Sequence, residues 1–188
     1  LFSAGECGED SYRELIAQEL GVDPQSILGM DMYLYNRTAP SIWGAKKEFI
    51  SSPKLDDLQC ACTSLKAMIQ AENDRCVTVY ACFDNEEVGS GTKQGACSTF
   101  LRDVLQRIND GLGFDGEDYR RAVAGSFMVS CDNAHAVHPN HPEKTDAENC
   151  TWMNKGIVIK FSANQKYTTD GISCAVFAGL CRDAGVPV

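Results

Sequence analysis

The run CFDNEEVGSGTKQGACS, residues 82–98, puts Asp84, Glu86 and Glu87 beside three glycines. Like charges this close repel, so the run is either a solvated acidic loop or a place where a cation sits. Two further acids suit the second reading: Asp56, near the start of LDDLQCACTSLKAMIQ, and Asp132, at the end of FMVSCD. Carboxylates ligate and bridge Zn²⁺, and two-metal hydrolases share such ligands between their ions. Adjacent side chains of an extended segment point to opposite sides, so one of Glu86 and Glu87 could ligate a metal while its neighbour faces a substrate. On spacing alone, solvated surface acids explain the run equally well.

Other arrangements carry less. His135, His138 and His141 recur at intervals of three, but Pro139 and Pro142 forbid one continuous helix through them. One of them acting with residues elsewhere is the better reading. The glycines of VGSGTKQGA lack the spacing of a nucleotide loop ending in Gly-Lys-Ser/Thr, and the preceding acids would repel a phosphate. They read instead as a tight strand-to-helix turn. Cys60 and Cys62 have no second pair at zinc-finger spacing.

The elements that must hold these residues alternate in type. Tyr12, Leu15, Ile16 and Leu20 have helical spacing over 9–20, with Gly21 as a stop, and DPQSIL reads as a short capped turn. MDMYLYN reads as a strand, followed by loops punctuated by Pro40 and Gly44. From Leu55 a helix carries Leu58, Leu65, Met68 and Ile69 on one face, with Asp56 and Asp57 at its positive end. CVTVYACF (76–83), FMVSCD (127–132) and IVIKFS (157–162) read as buried strands. Helices are expected over about 95–109, near DYRRAVAG, and through TTDGISCAVFAGLCRDAG up to Gly185. This alternation predicts an α/β sheet with helices on both faces. The ligand crevice of such a sheet lies beyond the carboxyl ends of its strands, where residues 84–87 and Asp132 could converge.

Bulk properties narrow the function classes. A chain of 188 residues with a net charge of -9 is poorly suited to neutralising phosphates, so nucleic acid is not an expected partner. No apolar run nears the roughly eighteen residues of a membrane span, and there is no basic flank and apolar core of a signal peptide. The expectation is a soluble, cytoplasmic protein without membrane partners. Its ten cysteines, several inside apolar runs, read as reduced and structural. The chain opens at Leu1 and closes on GVPV, which suggests a piece of a longer protein.

Four segments are recognisable together. FDNEEVGSGTKQGACS resembles the DNEEVGS segment of the M18 metalloaminopeptidases, the aspartyl aminopeptidase family, and SCDNAHAVHPN resembles their S-x-D-x-A-H-A-x-H-P-N segment. KLDDL is similar to their R-L-D-N-L, and NKGIVIKFSANQKYTTD to their K-G-x-V-I-K…N-Q-R-Y-A-T-D. The motifs occur in the family's order from Leu55 to Asp170. The resemblance implies a three-layer α/β/α zinc-exopeptidase-like catalytic domain with a mixed sheet, here incomplete. Residues 1–30 would end an inserted lid or dimerisation domain, and 31–188 would form the central part of the catalytic domain.

It further implies a cytoplasmic enzyme with two Zn²⁺, replaceable by Co²⁺ or Mn²⁺, that removes the N-terminal residue of peptides and assembles as a homo-oligomeric dodecamer. By motif, Asp56 would bridge the metals, and Glu87 and Asp132 would each ligate one. Glu86 would be the general base, best served by a pKa raised toward neutrality by burial. His135, Lys160 and Tyr167 would contact substrate. The family's histidine-bearing H-T-D and M-H-S segments are absent, so this piece alone is expected to bind metal weakly and to be nearly or wholly inactive. Asp57 stands where the family usually has Asn, an extra acid beside the bridging position. A non-catalytic scaffold role, or a two-metal hydrolase acting on a non-peptide substrate, are the alternative readings.

Overall fold

The helices fall in two units, residues 1–53 and 54–188. The structure is a computed structural model and describes residue 8 and residues 11–188.

In the first unit α1 (Ser11–Leu20) ends where Gly21 takes a left-handed conformation, φ +66°, which costs glycine no Cβ clash. The residue it buries is Ala17, 1% exposed, while Leu15 and Leu20 of the expected stripe stay open. Arg13 explains the shift: its Nη1 donates to the Ile27 carbonyl at 2.8 Å, drawing the Arg13/Ala17 side of α1 toward the following turn. That turn, Pro24–Ser26, is capped by Asp23, whose side chain accepts from the Gln25 N–H.

Where loops were expected after residue 36, a hairpin pairs β1 (Ser41–Trp43) antiparallel to β2 (Phe49–Ser51), with Ile42 opposite Ile50. Trp43 stacks on Phe49 with ring centroids 4.7 Å apart, and Trp43 Nε1 donates to Ser51 Oγ. Cross-strand aromatic contact of this kind holds a short ladder together. MDMYLYN, expected as a strand, forms none.

The second unit contains α2 (Leu55–Gln70), α3 (Phe100–Gly111), α4 (Gly116–Ala124) and α5 (Gly171–Asp183). Asp115 and Asp118 form a capping box on α4, and Asp170 and Ser173 form one on α5. Each box satisfies backbone N–H groups that the first helical turn cannot pair internally. The helix expected from Gly95 begins only at Phe100. Residues 95–98 are used in turns instead, with Ser98 N–H bonded to Gly95 O and Cys97 N–H to Ser90 O. After α5, Gly185 (φ +68°) turns the chain so that Pro187 O accepts the Ile157 N–H at 2.9 Å.

The strands expected at 76–83, 127–132 and 157–162 are corrected: these segments are extended but unpaired, and the one ladder among the described residues is β1–β2. A sequence written for burial on both faces needs a neighbour at each edge and cover above and below. Here Val77 is 85% and Met128 74% exposed. The apolar face of α2 is formed but also open, at Leu58, Leu65 and Ile69. Apolar surface meant for a core thus awaits cover.

Candidate metal centre

The geometry of the site starts at the first turn of α2. Asp56 and Asp57 leave helical backbone angles, joined by a cis peptide, and the regular helix starts beyond them. This places both carboxylates at the helix mouth, within reach of the segment that ends at Asp132. Asp56, Asp57 and Asp132 each offer an oxygen within 4.8 Å of the others. Lys160, from the third extended segment, donates through Nζ to Asp132 Oδ2 at 2.5 Å and to the Asn133 carbonyl at 2.8 Å.

The charges act on the carboxylates in opposite directions. Partial desolvation, then the negative charges of Asp132, Asp57 and Glu87, raise the pKa of Asp56 above the ordinary carboxylate value. The Lys160 ammonium holds Asp132 below it. Burial, then hydrogen-bonding and charge from the neighbouring Asp57 carboxylate, push the Cys60 thiol up to about 12, so it stays protonated; it faces both Asp57 and Asn133, and Asn133 Oδ1, at 3.1 Å, is the acceptor that meets hydrogen-bond geometry. Asp57 Oδ1 is buried without a hydrogen-bond partner. A buried anionic oxygen without a donor is costly, and a cation would satisfy it. The all-oxygen donor set therefore fits a divalent metal, and carboxylates are accepted zinc ligands.

The acidic turn is closed by its own backbone. Glu86–Val88 form a single 3₁₀ turn between Asn85 (φ +62°) and Gly89 (φ +92°). Ser90 N–H bonds to Asn85 O at 2.9 Å, Asp84 N–H to Gln94 O at 3.1 Å, and Thr92 Oγ1 to Asn85 Oδ1 at 2.9 Å. Gly95 passes so close to this turn that a Cβ would lie 2.1 Å from Ser90 O. The glycine run thus makes the tight turn expected of it.

Of the expected site residues, the structure brings together Asp56, Asp132 and Lys160, with Asp57 added. Glu87 acts on Asp56 through its charge but lies outside the 4.8 Å set, as do Glu86 and His135. Glu86, Glu87 and His135 are exposed, and Tyr167 is 48% exposed. His135 is engaged through its carbonyl, which accepts from Thr151 Oγ1, and the neighbouring Val137 N–H bonds to Thr151 O. Asn133 and Cys60 were missed from sequence. The available signal was position: Asn133 adjoins Asp132, and Cys60 lies four residues after Asp56 on the same helix.

The model of the family described as "Aminopeptidase I zinc metalloprotease (M18)" matches residues 6–188. The chain belongs to the M18 peptidase family. A probable M18 family aminopeptidase 2 of Clostridium acetobutylicum is 49% identical over 179 residues, 95% of this chain and 41% of the relative. The aspartyl aminopeptidase 1 of Schizosaccharomyces pombe is 38% identical over 90% of this chain and 37% of its own length. This M18 chain thus spans about 40% of the curated relatives it matches. Among solved structures, one of an Ape4 and Nbr1 complex superposes with a TM-score of 0.80 at 35% identity, over 98% of this chain and 37% of that one. The S. cerevesiae mApe1 dodecamer gives 0.72 at 28% identity, over 93% and 41%. The likeness carries the α/β zinc-exopeptidase-like fold class expected from the sequence. No helix among the described residues is long and apolar enough to cross a membrane.

Proposed function

We propose that the whole protein is a zinc-dependent aminopeptidase that removes the N-terminal residue of peptides. The observation that carries this reading is the convergence of Asp56, Asp57 and Asp132 within 4.8 Å in a chain of the M18 family. Asp56, Glu87 and Asp132 would hold two zinc ions, with Asp57 as a further oxygen donor. When bound, the metals would polarise the scissile carbonyl and make the attacking water more acidic.

The chain's own residues supply the proton handling. Glu86 accepts the proton of the attacking water and returns it to the leaving amine, while its neighbour Glu87 holds metal; the segment is a 3₁₀ turn and not extended as expected, so the two side chains diverge by about a third of a turn rather than pointing to opposite sides. Lys160 keeps Asp132 ionised and ready to ligate. His135 and Tyr167 contact the substrate. Residues 1–30 would end the inserted lid or dimerisation domain, with the catalytic part following.

Self-association into a large homo-oligomer is supported by the mApe1 dodecamer likeness. The nine described cysteines are free thiols, which suits the cytoplasm. Residues 1–188 alone lack the family's two histidine segments and would hold metal weakly. The test is Glu86→Gln in the full-length protein, assayed on peptides with free N-termini. Loss of about 10²–10⁴-fold in kcat with zinc content unchanged is expected; undiminished kcat would overturn the role of Glu86.

A further inference from the structure

One amide spans the helix start that carries Asp56 and Asp57. Asn133 Oδ1 accepts from the Cys60 thiol at 3.1 Å, and its Nδ2 donates to the Leu55 carbonyl at 3.0 Å. Both partners belong to α2 and flank the two aspartates. The Leu55 carbonyl directly precedes the two residues, Asp56 and Asp57, whose backbone departs from helical angles. Asn133 also continues the backbone of Asp132, and its own carbonyl accepts from Lys160.

We propose that Asn133, with Cys60 as its donor, is a positioning residue that fixes the separation between the Asp56/Asp57 and Asp132 arms of the metal centre. The proposal rests on the metal-centre reading above. Its physical basis is the planarity of the amide: donor and acceptor lie on one rigid group, so satisfying both partners sets the residue 133 backbone against α2 in distance and orientation. Asp132, one residue away, is thereby held against α2 on one side and against Lys160 on the other. Neither Asn133 nor Cys60 need touch a metal. Outer partners that orient metal ligands typically account for 10–100-fold in metal affinity.

The test uses the full-length protein and zinc affinity by isothermal titration, with the visible spectrum of the Co²⁺-substituted protein as a second readout. Asn133→Leu keeps the volume but removes both hydrogen bonds, and a 10–100-fold weaker affinity with an altered cobalt spectrum is expected. Cys60→Ser keeps a donor and should remain near wild type, whereas Cys60→Val should follow Asn133→Leu in direction. If Asn133→Leu proves misfolded by circular dichroism, the two Cys60 variants decide: equal affinities in Ser and Val overturn the proposal. Wild-type affinity and spectrum in a folded Asn133→Leu overturn it too. Failure of the underlying reading looks different, because wild-type protein would then bind zinc no better than an Asp56→Asn variant.

Discussion

Gly95→Ala tests whether the acidic turn must keep its shape. The new Cβ would sit 2.1 Å from Ser90 O, 2.6 Å from Ser90 C and 2.9 Å from Ser90 Cα, all backbone atoms that cannot swing aside. Real Cβ contacts essentially never fall below 3.0 Å, so residues 90 and 95 must separate by roughly 1 Å. Ser90 O accepts the Cys97 N–H, and Ser90 N–H donates to Asn85 O, directly before Glu86. The movement therefore reaches the Glu86–Glu87 pair through the Ser90 N–H to Asn85 O hydrogen bond. Overpacking of this kind costs about 1–3 kcal/mol of stability. A misplacement of about 1 Å in a catalytic group costs about 10²-fold in rate. The assay is kcat/KM of the full-length protein on a peptide with a free N-terminus, with thermal unfolding measured in parallel. Gly91→Ala is the control, because no heavy atom lies within 4 Å of its Cβ position, and a change within about twofold is expected there. A folded Gly95→Ala protein with wild-type kcat/KM would refute the proposal that the turn positions Glu86 as general base and Glu87 as metal ligand.

Other perturbations probe the charges. Lys160→Met removes the ammonium that chiefly lowers the Asp132 pKa, so Asp132 rises toward the ordinary carboxylate value and protons compete better with zinc. Half-release of zinc on acidification should move to higher pH, and a profile superimposable on wild type would count against the pairing. Because the Asp56 pKa is raised above the ordinary carboxylate value, protons compete with zinc there, and zinc affinity of the wild type should fall on acidification before ordinary carboxylates protonate; an affinity flat down to that ordinary value would count against Asp56 as a ligand. Asp170 is held below the usual carboxylate range by the Ser173 N–H and hydroxyl. Its cap therefore stabilises α5 fully above the unfolded pKa of about 3.9 and is lost as pH falls through the lower, folded value. A titration of the Asp170 carboxyl carbon followed by NMR should give a midpoint under 3.9; one at or above it would remove the capping argument.

The helices were legible in the sequence because their signals are local. Gly21 and Gly185 mark their own stops and the periodicity between needs no distant partner, whereas the caps at Asp115 and Asp170 were not read and the start of α3 was placed near Gly95 instead of Phe100. The strands were not, because a ladder needs a second segment. CVTVYACF announces burial but not what buries it, and the described chain provides no neighbour for its edges. Conversely, Ser41–Trp43 is too short to announce itself, and its pairing depends on Phe49 six residues beyond Trp43. In the site, Asp56 and Asp132 were found through residue type and motif. The clamp through Asn133 and Cys60 was invisible, since their separation of 73 residues is closed only by the fold.

Catalytic zinc is proposed to sit at the Asp56 cluster. Zinc content measured by mass spectrometry on dialysed full-length protein and its Asp56→Asn variant tests it most directly. The account predicts two zinc ions per subunit in the wild type and loss of metal together with peptidase activity in the variant. A variant that keeps both its zinc and its activity would contradict it.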